Sequence, residues 1–124
     1  MDRDGRMDIV VGHSDQMVSV FRNAGSGSFE PFSGSPYETA APLFNVVAGD
    51  VNDDGQMDLV IPTVRHVTVL LGGLPGFTPA AGSPFPAGLG TYNLAVADLN
   101  GDGRMDIAAT DFEGDGLFIL LGQK

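Results

Sequence analysis

The sequence contains no cysteine and no tryptophan, only 6 lysines and arginines, and no long apolar run. Without cysteine there are no disulfides, no thiolate metal ligands and no cysteine nucleophile. The few basic residues face 16 acidic ones, leaving a formal charge of −10. That balance argues against nucleic acid or an anionic membrane surface as a partner, since both reward a positive face. No apolar stretch approaches the roughly 18 residues needed to cross a bilayer, so no membrane insertion is expected. The opening "MDRDGRMD" has neither the basic nor the apolar region of a signal peptide. If the protein is exported, its address lies outside this sequence or has been removed.

What is present points to a folded, turn-rich protein. Of the 124 residues, 43% are hydrophobic, enough for a real core, while 18 glycines and 8 prolines imply frequent turns, as in an all-β chain. The acids gather in short clusters, which a generic solubilising surface would not require. Internal similarity explains the clusters. "NVVAGDVNDDGQMDLVIP" from Asn45 aligns with "NLAVADLNGDGRMDIAAT" from Asn93, and the N-terminal "DRDGRMDIVVG" follows the same pattern from its third position. "VSVFRN" from Val18, "VTVLLG" from Val67 and "LFILLG" from Leu117 form a second series. A third pairs "GSFEPFSGSPY" with "PGFTPAAGSPF", matching Gly34-Ser35-Pro36 with Gly82-Ser83-Pro84. Several features in one register establish a repeat of about 48 to 50 residues, a period typical of propellers and solenoids.

Each unit reads as strands, because its apolar runs are short and bounded by Gly, Asp or Pro. The Pro- and Gly-punctuated Phe segment predicts a short strand at a sheet edge. The expected fold is therefore all-β, with β-propeller blades of up to four antiparallel strands and about two and a half repeats. The expected organisation is a single partial propeller over residues 1–124, with repeats at about 1–41, 42–89 and 90–124.

The acidic loop has the spacing Asp-x-Asn-x-Asp-Gly-x-x-Asp. Side-chain oxygens at its first, third and fifth positions can converge as the backbone curls, and the glycine permits the sharp turn. A carbonyl at the seventh position and a carboxylate at the ninth complete an all-oxygen set, which favours Ca²⁺ over Mg²⁺ or Zn²⁺. The candidate ligands are Asp50, Asn52, Asp54, the Gln56 carbonyl and Asp58. The second set is Asp98, Asn100, Asp102, the Arg104 carbonyl and Asp106. In the N-terminal copy, Asp2, Asp4, the Arg6 carbonyl and Asp8 fill the later positions, and the first position would precede Met1. An EF-hand would need a Glu at position 12 and flanking helices, whereas Ile61 and Ala109 stand there in apolar runs. Asp, Asn and Gly are also ordinary turn residues, but turn preference alone does not set five ligand positions twice. "DFEGDGLFI" from Asp111 begins similarly and reads instead as a hairpin turn.

Catalytic constellations are weak. His13, Ser14 and Asp15 are adjacent in sequence, so in extended chain they point to opposite sides and cannot form a triad. His66 reads as a surface or strand-end residue, and the paired carboxylates are better explained as metal ligands than as a glycosidase pair.

On "GDVNDDGQMDLVIP", "ADLNGDGRMDIAAT", "DRDGRMDIVVG" and the downstream "VTVLLG" and "LFILLG", the chain resembles the FG-GAP/VCBS repeat family. These are the calcium-loop blades of integrin-α-like propellers. The literal FG and GAP signatures are absent, which places the chain nearer the VCBS-like type. The resemblance implies that the loop joins the first two strands of a blade and that Ca²⁺ holds this hairpin. It also implies an extracellular or cell-surface, non-catalytic adhesion or binding module with a glycan or protein ligand. The alternative is an accessory propeller domain of a secreted Ca²⁺-dependent hydrolase or lyase. Because a closed propeller takes at least four blades, the chain is expected to be a fragment that self-associates as a homo-oligomer to complete the ring.

Overall fold

A computed structural model describes residues 1–122 as strands, turns and loops, with no helix among them. The strands form three antiparallel sheets, one per repeat. In blade 1, β1 (Ile9–Gly12) pairs with β2 (Met17–Gly25), whose other edge carries β3 (Ser28–Pro31) and then β4 (Tyr37–Glu38). In blade 2, β5 (Val47–Gly49), β6 (Asp58–Pro62) and β7 (His66–Leu71) run in order. The far edge of β7 carries β8 (Thr78–Pro79) and β9 (Phe85–Pro86). Blade 3 contains β10 (Leu94–Ala97), β11 (Asp106–Asp111) and β12 (Gly116–Leu120).

The fourth strand of blades 1 and 2 is thus short and at an edge, as its prolines predict, and it is also split into two pieces. The Gly-Ser-Pro repeat makes the break. Ser35 Oγ accepts a hydrogen bond from the Val20 amide and Ser83 Oγ accepts one from the Val69 amide, each at 2.9 Å. A side-chain hydroxyl therefore satisfies a strand amide where backbone pairing lapses. The segment from Asp111 is a hairpin turn, as expected, with Asp111 opposite Gly116.

Side-chain alternation along the strands sorts the core into two layers. Leu59 and Ile61 of β6 pack with Val18, Val20, Phe32, Leu70 and Phe77 between blades 1 and 2. The intervening Val60 packs with Val67, Val69, Leu94, Ile107 and Ala109 between blades 2 and 3. Blade 2 is covered on both faces, so all five residues of β6 are buried. Burying a side chain such as Leu59 or Ile61 stabilises the fold by about 1.5–3 kcal/mol. The outer faces of blades 1 and 3 carry no such cover. In β12 the burial alternates strictly, with Leu117 and Ile119 exposed and Phe118 and Leu120 half-buried.

Candidate metal centre

The acidic loops connect β5 to β6 and β10 to β11, and the N-terminal copy leads into β1, so all three precede the same strand of their blades. Their backbones share one signature. The residue before the central Asp has positive φ in every copy: Arg3 at 63°, Asp53 at 60° and Gly101 at 78°. The glycine after that Asp does the same, with Gly5 at 81°, Gly55 at 77° and Gly103 at 85°. Glycine reaches this region without a Cβ penalty, while Asp tolerates it and Arg does so less well.

Side-chain bonding repeats as closely as the backbone. The Asp54 amide donates to Asn52 Oδ1 at 3.2 Å, and the Gln56 amide donates to Asp54 Oδ1 at 2.7 Å. The third-blade equivalents are Asp102 to Asn100 at 2.9 Å and Arg104 to Asp102 at 3.0 Å. The first-blade equivalents are Asp4 to Asp2 at 3.1 Å and Arg6 to Asp4 at 2.9 Å. At the first ligand position, Asp50 accepts from the Asp54 and Gly55 amides. Asp98 accepts from Gly101, Asp102 and Gly103. The Gln56 amide holds the Asp54 carboxyl below its ordinary value, with Asn52 assisting, and the Arg104 amide acts likewise on Asp102.

The ninth position behaves differently, because it is buried. Asp58 and Asp106 are both 0% exposed. Asp58 accepts from the Val51 amide on one oxygen and the Gly72 amide on the other, each at 2.8 Å. Asp106 accepts from the Leu99 and Gly122 amides at 3.0 and 2.8 Å. Asp8 accepts from the Asn23 amide at 2.9 Å, and its other oxygen meets the N-terminal ammonium of Met1, which stands where Val51 and Leu99 stand in the other copies. Each of these carboxylates ties its loop to the end of the third strand. Burial pushes the Asp58 carboxyl above its ordinary value against the pull of the Gly72 and Val51 amides, and the charges of Asp54 and Asp50 push the same way.

The fold therefore assembles each sequence-predicted ligand set within one loop. The Gln56 and Arg104 side chains extend beyond their loops, and Arg104 pairs with Asp102 at 2.8 Å. Among the described residues, no group of three or more His, Asp or Glu side chains stands close enough to hold an ion as arranged. The carboxylates are turned onto loop amides instead. The donor set still suits Ca²⁺ in kind. All its atoms are oxygens, and the neighbouring charges felt at Asp58 are a repulsion that a cation relieves.

A profile of the FG-GAP-like repeat matches residues 1–61 and 65–109. The chain belongs to the FG-GAP-like repeat family. No curated protein and no solved structure gave a significant match. The repeat match spans all three acidic loops of this FG-GAP-like chain, together with β1 to β10 and most of β11.

His13 does not join Ser14 and Asp15. Its Nε2 lies 2.9 Å from Ser19 Oγ on the neighbouring strand, and His66 begins β7. One feature escaped the sequence reading. At the end of the sheets opposite the acidic loops, Phe44 meets Tyr92 edge-on at 4.6 Å and Tyr92 meets Phe112 at 5.7 Å. These rings are 52%, 36% and 72% exposed. The signal was present as an aromatic-Asn pair repeated at Phe44-Asn45 and Tyr92-Asn93, whose amide side chains hydrogen-bond at 2.7 Å.

Proposed function

We propose that this FG-GAP-like protein is a calcium-stabilised, non-catalytic binding module of propeller type, working outside the cell or at its surface. The observation that carries this reading is the threefold recurrence of one loop geometry, with all-oxygen donors at the same positions each time. Asp50, Asn52, Asp54, the Gln56 carbonyl and Asp58 would hold one Ca²⁺. Asp98, Asn100, Asp102, the Arg104 carbonyl and Asp106 would hold another, with Asp2, Asp4, the Arg6 carbonyl and Asp8 as a reduced third set. The ion would neutralise carboxylates that otherwise repel, so its role is to stiffen the hairpin leading into the central strand of each blade.

The exposed aromatic end supports a glycan as ligand. The C–H faces of sugar rings pack on aromatic rings, and Asn45, Asn93 and Glu113 stand near as hydrogen-bonding groups. Family membership and the absence of an acidic partner in the His13–Ser19 contact support a binding role over catalysis.

Thermal unfolding with Ca²⁺ and with chelator tests the metal. A ligand that binds only the native state at about 100-fold over its Kd adds roughly 2.7 kcal/mol per site. The expected result is a higher melting temperature in Ca²⁺, reduced in part by Asp54→Ala and by Asp102→Ala. A melting temperature unmoved by Ca²⁺ removes the metal from this reading.

A further inference from the structure

The repeat makes the two uncovered sheet faces interpretable, because each has mated counterparts inside the same molecule. Leu117, Ile119 and Leu121 on the outer face of blade 3 are 63%, 47% and 54% exposed. Their counterparts in blade 2, two repeat positions described above, are Val67, Val69 and Leu71. All three pack in the layer between blades 2 and 3. Ile9 and Val11 on the outer face of blade 1 are 42% and 39% exposed. Their counterparts Leu59 and Ile61 are fully buried against blade 1. In blade 3 the corresponding Ile107 and Ala109 are buried against blade 2. The molecule thus carries the face that receives a following blade at one end and the face that receives a preceding blade at the other.

We propose that the outer face of blade 3 docks on the outer face of blade 1 of a second copy, repeating the internal blade-to-blade junction. The argument for a second copy as occupant is that both complementary halves of a junction already built twice in this fold stand open on one chain. Residue sizes agree: aliphatic side chains at Ile9 and Val11 would meet aliphatic side chains at Leu117 and Ile119, as Leu59 and Ile61 meet Val18 and Val20. The contact is heterologous, so copies add head to tail and form a ring where the rotation closes. Docking covers apolar side chains that otherwise face water. This inference rests on the packing of the blades and not on the metal reading.

Sedimentation velocity in Ca²⁺ tests it, using wild type, Ile119→Asp and Val11→Asp. The wild type is expected at a multiple of the monomer mass, and each variant alone is expected to stop at the monomer, since one of its two faces is blocked. Mixing the two variants should restore a dimer, because Ile119→Asp keeps its blade 1 face and Val11→Asp keeps its blade 3 face. Leu117→Glu and Ile9→Glu repeat the experiment if either first variant loses its folded circular dichroism spectrum. A folded wild-type monomer at tens of micromolar overturns the proposal. Variants that stay associated, or a mixture that stays monomeric, overturn it equally.

Discussion

Replacing Asp58 with alanine separates what the ninth loop position does for the fold from what it does for a metal. Asp58 is 0% exposed and is the acceptor for the Val51 and Gly72 amides, each at 2.8 Å. Alanine offers no acceptor. Leaving a buried donor unpaired costs about 1–3 kcal/mol, so two donors cost roughly 2–6 kcal/mol. Some of that is returned, since Asp58 itself is held in an unfavourable setting by burial and by the charges of Asp54 and Asp50. A loss of about 3 kcal/mol is the expected balance. Asp58→Asn keeps one acceptor oxygen and sheds the charge, so its loss should be about half as large. The assay is urea unfolding followed by circular dichroism, in chelator and at one protein concentration, so that neither metal nor association contributes. With a urea dependence of about 1.5 kcal/mol per molar, the alanine midpoint falls by about 2 M. An alanine variant within about 0.5 kcal/mol of wild type would refute the two-amide tie. An asparagine variant as damaged as alanine would refute the acceptor count.

Arg3→Gly should stabilise the protein by about 1 kcal/mol, because Arg3 holds the positive φ that Gly101 occupies freely in the third copy. Its exposed hydrogen bond to the Asp54 carbonyl is a small loss by comparison. Chemical denaturation reads the difference, and a destabilised variant would mean the bond outweighs the backbone strain. Phe112→Ala should weaken glycan binding about tenfold, equivalent to about 1.4 kcal/mol for one stacking ring. A glycan array followed by titration of the best hit checks this, and an unaffected affinity would move the ligand away from the aromatic end.

Much of the fold was legible because the repeat supplied three readings of one unit. The position of Asp50, Asp54 and Asp58 within a turn between two strands follows from "GDVNDDGQMDLVIP" read beside "ADLNGDGRMDIAAT". The exchange of Asp53 for Gly101 marked a position without ligand duty, and the structure supplies its backbone reason in the shared positive φ. The split of the fourth strand was not legible. Gly-Ser-Pro announces a break, but only the fold brings Ser35 to Val20 and Ser83 to Val69 across the sheet.

By itself, then, the sequence determined the strand periodicity, the repeat and the loop chemistry, because all three depend on residues close together in the chain. Tertiary structure decided which of the alternating apolar residues are buried. Ile9 and Leu59 occupy the same repeat position, yet one is exposed and the other is at 0%, since only Leu59 has a blade against it. It also decided that Asp58 and Asp106 serve as buried ties to Gly72 and Gly122, partners 14 and 16 residues away. Local spacing cannot encode a contact whose partner arrives by a different strand.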